Sequence, residues 1–174
     1  LYPHKNVERL VAAARTINQK LRFSKYHTTV RGNYLGLVIV CARNVFYQRF
    51  VKKIKQMGAE RYVNLVGFVP DEELVAIYQE AEAFVFPSLL EGFGLPGLEA
   101  MAVGLPVVAS NFSCLPEIYG DAVLYFHPLD VNDMTEKIEK VVWDTRIRET
   151  LIQKGFEQVK KYSWEKMGKE TIAV

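Results

Sequence analysis

The chain has 174 residues, 49% of them hydrophobic and 12% aromatic, which is enough apolar material for the core of one ordinary domain. Lysine and arginine number 22 against 20 acidic residues, and the net charge of +2 gives no reason to expect a nucleic acid or an acidic polymer as partner. The two cysteines, Cys41 and Cys114, lie far apart and outside any metal-ligand spacing, so the sequence favours neither a zinc site nor a disulfide framework and fits a reducing cytoplasmic compartment.

The first part of the chain alternates predicted helices and strands. Apolar residues recur at helical spacing over residues 7–22 and predict an amphipathic helix. The continuous apolar run at residues 35–40 is typical of a strand buried on both faces, which favours a parallel sheet. Residues 45–57 predict a second helix that Gly58 ends, and residues 62–66 predict a short strand. The side chains predicted to face inward from the second helix are Phe46, Phe50, Val51 and Ile54.

The rest of the chain continues this alternation. Asp71 is placed to cap a helix that runs to about Ala81, and residues 83–86 predict the next strand. Residues 96–103 predict a helix with proline in its first turn, where a missing N–H costs little, and residues 106–109 return to the sheet. The later elements are a helical turn at 115–118, a strand at 123–125, helices at 131–142 and 147–160, and a final helix capped by Ser163.

The order of these elements predicts the fold class. Strands that alternate with helices at short intervals form right-handed βαβ units, and such units build an α/β fold with a doubly wound, Rossmann-like parallel sheet and helices on both faces. No repeat, low-complexity tract or linker divides the sequence, so residues 1–174 are predicted to form a single domain. Doubly wound sheets bind ligands beyond the carboxyl ends of their strands, which directs attention to the strand-to-helix loops.

The most informative of these loops is the stretch EGFGLPGLE at residues 91–99, which follows a predicted strand and opens a predicted helix. Unpaired N–H groups and the helix dipole make the start of a helix an anion site, and Gly92 and Gly94 allow the backbone to approach a diphosphate closely. Glu99 falls about one turn into the helix, where its carboxylate can accept hydrogen bonds from the vicinal hydroxyls of a ribose. Glu91 precedes the helix and can meet a polar group beyond the phosphates, such as a sugar ring. The alternative is that both glutamates are solvated and the glycines only serve a turn.

A wider set of motifs carries a resemblance to a known family. These motifs are KN at residues 5–6, GFVPDEEL at 67–74, FPS at 86–88, EGFGLP at 91–96, EAMA at 99–102, PVVA at 106–109, LPE at 115–117 and SWE at 163–165. With them the chain resembles the retaining glycosyltransferases of family four, whose signature is a pair of glutamates separated by seven residues, here Glu91 and Glu99. The likeness covers nearly the whole chain and implies the C-terminal, nucleotide-sugar-binding half of a two-domain GT-B fold.

The resemblance implies a role for each residue of a donor site. Glu99 would hydrogen-bond the ribose, and Glu91 with the backbone that follows it would hold the transferred sugar and the diphosphate. Lys5 would offset charge on the leaving diphosphate, and the loop of Phe68 would pack against the nucleotide base. Two alternatives stay open, namely Lys5 as a solvated lysine before a helix and the Phe68 ring as a core aromatic at a strand end. Glu91 is thus the candidate catalytic residue, through its contact with the donor sugar, and the donor-binding residues are Lys5, Phe68, Val69, Gly92, Phe93, Gly94, Leu95 and Glu99.

The resemblance also implies a reaction. A hexosyl group would pass from a nucleotide-diphosphate sugar to a sugar or lipid-linked acceptor, with retention of anomeric configuration and without a metal ion or a further cofactor, in polysaccharide or glycolipid biosynthesis. Family members carry an N-terminal acceptor domain, then a strand, a glycine-rich turn and an arginine, before the lysine that Lys5 matches. The sequence starts after that point, so we expect a fragment that is inactive alone, with Arg43 as a candidate to replace the absent arginine.

Two other functions stay open. A sugar-nucleotide epimerase with the same two-domain architecture shares the predicted features, and a non-catalytic module would bind a nucleotide sugar without transferring it. A dinucleotide-dependent oxidoreductase is disfavoured because no G-x-G-x-x-G opens the first helix. No apolar run approaches the roughly 18 residues that span a bilayer, and no signal-peptide pattern begins the sequence. We therefore expect a cytoplasmic protein, with peripheral membrane association of the full-length protein as an option.

Overall fold

The strands and helices predicted from the sequence all form. The computed structural model describes residues 2–23, 34–43 and 45–172. The strands are β1 (Leu37–Val40), β2 (Val63–Val66), β3 (Phe84–Phe86), β4 (Val107–Ser110) and β5 (Val123–Phe126). The helices are α1 (Val7–Phe23), α2 (Val45–Gln56), α3 (Asp71–Glu80), α4 (Leu95–Ala102), α5 (Leu115–Tyr119), α6 (Val131–Trp143), α7 (Thr145–Val159) and α8 (Trp164–Ile172), and a 3₁₀ turn at Pro3–Lys5 precedes α1.

Every strand pairing within the described residues is parallel. β1 pairs with β2, with Leu37 opposite Val63. β3, β4 and β5 form a second sheet in that order, with Phe84 opposite Val107 and Val107 opposite Val123. One helix, α2 to α5 in turn, stands between each strand and the next along the chain. This arrangement confirms the α/β class and the parallel sheet predicted from the alternation of elements.

Helices cover both faces of the β3–β5 sheet. On one face α1 packs against β4 and α6 through Leu10 and Ile17. The same helix uses Val11 to pack against β1, β2 and α2, so it joins the two groups of strands. On the other face lie α4 and α5, whose Met101 and Tyr119 are almost fully buried. Each such side chain stabilises the fold by about 1.5–3 kcal/mol through burial of its apolar surface.

Three local predictions are wrong. Strand β1 is buried on one face only, because α4 and α5 cover β3–β5 and leave Val38 and Val40 exposed by 49% and 37%. Val51 is also exposed, since it lies on the solvent side of α2. Asp71 is the first residue of α3 rather than its cap, because Pro70 occupies the cap position and no side chain there bonds the helix start.

The predicted end of α2 and the predicted cap at the start of α8 are both confirmed. Gly58 follows α2 with φ 61°, the left-handed conformation that commonly ends a helix. The backbone N–H of Lys166 donates to Ser163 Oγ at 3.0 Å, so Ser163 caps α8. None of the described helices is long and apolar enough to cross a membrane.

Candidate functional site

The predicted site residues lie at the carboxyl ends of the strands. Phe68 and Val69 follow β2, and residues 91–94 lie between β3 and α4. The 3₁₀ turn that carries Lys5 comes to the same edge, because the backbone N–H of Leu89 donates to the His4 carbonyl at 2.7 Å. The parallel fold therefore gathers segments that are far apart in the sequence.

Asn6 fixes the segment that carries Lys5. Its backbone is left-handed, with φ 56°, a conformation that asparagine tolerates better than most residues. Its side chain is buried, and its amide donates to the carbonyls of Pro87 and Pro128 at 3.0 and 2.7 Å. These two prolines follow β3 and β5, so one side chain ties residues 3–6 to the ends of two strands.

Replacing Asn6 by glycine should lower the free energy of unfolding by about 1–3 kcal/mol, because two carbonyls lose their buried donor. Asn6→Ala should cost about 1 kcal/mol more, since alanine must also hold the left-handed conformation that glycine adopts freely. Urea unfolding of both variants measures the difference. An alanine variant as stable as the glycine variant would contradict the backbone part of this account.

Lys5 and Glu91 form an ion pair within the site. The Lys5 Nζ lies 2.6 Å from Glu91 Oε1, and the two side chains are 38% and 12% exposed. The Lys5 ammonium also lies 6.0 Å from the centre of the Phe86 ring. The second oxygen of the Glu91 carboxylate receives no hydrogen bond within the described residues. The structure thus pairs two predicted site residues with each other, whereas the alternative interpretation had each of them solvated alone.

The start of α4 presents unpaired backbone donors. Gly94 takes the cap position with φ 98°, a left-handed conformation that suits glycine, and Pro96 stands in the first turn. The amides of residues 92–95 donate to no acceptor in the part of the chain that the structure describes. Four consecutive free N–H groups at the positive end of a helix are suited to bind an anion, and Glu91, the partner of Lys5, directly precedes them in the chain.

Glu99 lies one turn into α4 and is exposed. No donor among the described residues hydrogen-bonds its carboxylate, so its oxygens are available to a ligand. Burial first, and then the charge of Glu99, raise the pKa of the Tyr78 phenol to about 12. The Tyr78 phenol of α3 therefore stays protonated at neutral pH.

The loop after β2 exposes one aromatic ring. Phe68 is 82% exposed, whereas the neighbouring Val69 is buried and anchors the loop. The alternative of Phe68 as a core aromatic is therefore wrong, and its ring is accessible to a planar partner. Arg43 lies next to this loop, because a methyl group built on Gly67 would stand 2.4 Å from the Arg43 Nε. A second cation thus reaches the carboxyl ends of the strands.

A cavity of about 430 Å³ lies at the other end of β1 and β2. Its lining includes Arg15 and Arg22 of α1, Arg61, and the residues Met57 and Gly58 that follow α2. The Arg61 guanidinium stands 5.6 Å from the centre of the Tyr34 ring. Of these arginines, Arg22 lies in the last turn of α1, where the partial negative charge of the helix C-terminus favours a cation. The cavity contains none of the residues predicted to bind a donor.

Comparison with known proteins identifies the family. The sequence matches the family described as glycosyl transferases group 1 over residues 1–158. The chain belongs to the group 1 glycosyl transferases. The matched range takes in Lys5, Phe68 and both glutamates of the 91–99 stretch.

Two Escherichia coli mannosyltransferases are among the relatives of this group 1 glycosyl transferase. The O-antigen chain mannosyltransferase B is 37% identical over 170 residues, which are 98% of this chain and 42% of the relative. The serotype-specific mannosyltransferase WbdA is 32% identical over 163 residues, which are 93% of this chain and 19% of the relative. The chain therefore spans less than half the length of these relatives.

Solved glycosyltransferase structures share the fold. Sucrose-phosphate synthase from Thermosynechococcus elongatus matches with a TM-score of 0.80 and 26% identity, over 99% of this chain and 43% of that one. The C-terminal domain of the group 1 glycosyl transferase LpcC from Francisella tularensis matches with a TM-score of 0.71 and 26% identity, over 92% of this chain and 80% of that one. The chain shares the α/β fold of one part of these GT-B glycosyltransferases, as the sequence predicted.

Sequence reasoning missed the side chains that support the glycine-rich loop of this group 1 glycosyl transferase. Ser113 and Tyr119 hydrogen-bond the backbone of Glu91 and Gly94. Serine and tyrosine have no fixed spacing to a glutamate pair, so their types carry no signal by themselves. The nearest signal in the sequence was the LPE motif at residues 115–117.

Proposed function

We propose that this chain is the donor-binding domain of a retaining glycosyltransferase, which transfers a hexosyl group from a nucleotide-diphosphate sugar to an acceptor without a metal ion. The observation that carries the proposal is the ion pair of Lys5 and Glu91 beside the four unpaired amides of residues 92–95. The names of the relatives make mannose the first sugar to test.

The diphosphate would lie at the start of α4. There the amides of residues 92–95 and the Lys5 ammonium would meet its oxygens. Glu99 lies about 6 Å further along the helix axis than Leu95, a separation that suits a ribose attached to one phosphate. The free oxygen of Glu91 would accept a hydrogen bond from a hydroxyl of the sugar that is attached to the second phosphate. The two glutamates would then hold opposite ends of one ligand.

Negative charge grows on the diphosphate as its bond to the anomeric carbon breaks. Fixed N–H groups and an ammonium stabilise that charge, as a metal ion does in other transferases. Within the described residues there is no group of three or more His, Cys, Asp or Glu side chains suited to hold a metal. Lys5 engages the Glu91 carboxylate and lowers its nucleophilicity, so we assign Glu91 to holding the sugar. Retention then requires the acceptor to attack on the side from which the diphosphate leaves.

An upstream domain would complete the enzyme. The chain spans 42% of the E. coli relative, and the LpcC domain that it resembles is a C-terminal one. No described strand pairing joins β1 to β3, which is consistent with a further strand between them. We expect the chain alone to bind a donor without transferring the sugar. We expect the full-length enzyme to work in the cytoplasm, at the membrane surface where a lipid-linked glycan is presented.

Calorimetric titration with UDP, GDP, ADP and their sugar conjugates, GDP-mannose included, tests this proposal. One nucleotide is expected to bind saturably. Replacing Glu99 by alanine should weaken that binding by about 1–3 kcal/mol, roughly five- to 150-fold, because the ribose loses a charged acceptor. Glu149→Ala removes an exposed carboxylate of α7 and should leave the affinity unchanged.

Three results would decide against parts of this proposal. A Glu99→Ala variant that binds as tightly as the original chain would remove the ribose role. Failure of every nucleotide to bind at millimolar concentration, for this chain and for one extended upstream, would refute the donor-binding function. Conversion of the bound conjugate into a second sugar nucleotide would indicate an epimerase instead.

A further inference from the structure

We propose that Ser113 and Tyr119 are positioning residues that hold the loop of residues 91–94 in the conformation that receives the donor. The inference rests on the proposed function, because the loop is the part of the site that would bind the diphosphate. Neither residue would touch the ligand. Both would act through the backbone of Glu91 and Gly94.

Ser113 holds the first residue of the loop by both of its backbone groups. Its Oγ donates to the Glu91 carbonyl at 2.9 Å and accepts from the Glu91 N–H at 3.2 Å. The Cys114 Sγ donates to the same carbonyl at 3.4 Å. Ser113 itself has φ 60°, a strained conformation for a residue other than glycine. The side chain of Glu91, which continues from this fixed backbone, meets Lys5.

The Tyr119 side chain holds Gly94, the last residue of the loop. Its hydroxyl donates to the Gly94 carbonyl, and its ring is fully buried. Burial raises the pKa of the Tyr119 phenol far above its ordinary value, so the group stays a donor at every physiological pH. Two glycines leave the space that the ring fills. A methyl group built on Gly94 or Gly97 would stand 2.6 or 2.3 Å from the Tyr119 oxygen.

The two contacts lie at opposite ends of the loop, and both come from residues 113–119, a segment that contains α5. Fixing Glu91 and Gly94 also fixes the peptide planes between them, whose N–H groups are the unpaired donors of the anion site. A loop that is already in its binding conformation loses less entropy when a ligand arrives. Removing either contact should therefore weaken donor binding even though the α4 helix and the core stay intact.

The test compares three variants of this chain. Tyr119→Phe removes the hydroxyl and keeps the ring, and Ser113→Ala removes the Oγ. Tyr125→Phe is the matched control, because the Tyr125 hydroxyl donates to the carbonyls of Gly120 and Leu115, at 2.8 and 3.4 Å, and to no residue of the loop. Two readouts are taken. One is hydrogen exchange, without ligand, of the Glu91 and Gly97 amides, which donate to Ser113 Oγ and to the Gly94 carbonyl. The other is calorimetric affinity for the nucleotide that binds the original chain.

We expect Ser113→Ala to speed exchange of the Glu91 amide, and Tyr119→Phe that of the Gly97 amide, by about threefold or more. Each variant should also weaken nucleotide binding about three- to tenfold. Tyr125→Phe should change neither quantity. Exchange of these two amides as slow as in the original chain would overturn the proposal, and so would an equal loss of affinity in Tyr125→Phe. If no nucleotide binds the original chain, the proposed function fails and the exchange measurement alone decides whether Ser113 and Tyr119 hold the loop.

Discussion

Replacing Gly94 by alanine is expected to lower the free energy of unfolding by about 2–5 kcal/mol, a large share of the roughly 5–15 kcal/mol of a typical domain. The left-handed backbone of Gly94, with φ 98°, costs an alanine about 1–2 kcal/mol. The added methyl group would also stand 2.6 Å from the Tyr119 hydroxyl and 2.8 Å from Leu115 Cδ2, and such overpacking adds about 1–3 kcal/mol. Tyr119 and Leu115 are both fully buried, so neither can move away. Urea unfolding measures the loss.

Gly92→Ala is the matched control in the same motif. No atom lies within 4 Å of a methyl group built on Gly92, and its backbone is not left-handed. This variant should be as stable as the original chain to within about 0.5 kcal/mol. Equal losses for the two variants would show that the loop is sensitive to any side chain and that contact with Tyr119 is not the cause.

The start of α4 could be predicted from the sequence because its determinants are local. A proline in the first helical turn is a local signal, and it is found at Pro96, although α4 begins one residue earlier than predicted, at Leu95. The parallel sheet could be predicted for a similar reason, since short connections between strand and helix allow few topologies. The roles assigned to Glu99 and to the Phe68 loop stay predictions, although both side chains are exposed at the predicted edge.

The contacts that shape the loop could not be predicted, because they depend on tertiary packing. Lys5 and Glu91 are separated by 86 positions, and no local pattern indicates that they meet. Tyr119 fits beneath Gly94 only because α4 and α5 pack on the same side of the sheet. The exposed face of β1 was missed for the same reason, since a continuous apolar run does not reveal where the covering helices lie.

Replacing Lys5 by methionine should weaken binding of the bare nucleoside diphosphate by about 100-fold. Loss of the ammonium removes a charged hydrogen bond worth about 1.5–3 kcal/mol, roughly ten- to 150-fold. It also leaves the Glu91 carboxylate, which is only 12% exposed, without its partner and next to an incoming anion. Calorimetric titration of the variant with the nucleoside diphosphate that binds the original chain measures the loss.

The double variant Lys5→Met with Glu91→Gln separates these two causes. Glutamine keeps the size of Glu91 but removes its charge, so the repulsion of the diphosphate disappears and about tenfold of the affinity should return. The bare nucleoside diphosphate is the right ligand, because it lacks the sugar that Glu91 would hold. A double variant that binds no better than Lys5→Met would mean that Glu91 does not oppose the diphosphate, and that the pair does not balance charge at the start of α4. Recovery with the bare nucleotide but not with its sugar conjugate would support both halves of the assignment, with Lys5 on the diphosphate and Glu91 on the sugar.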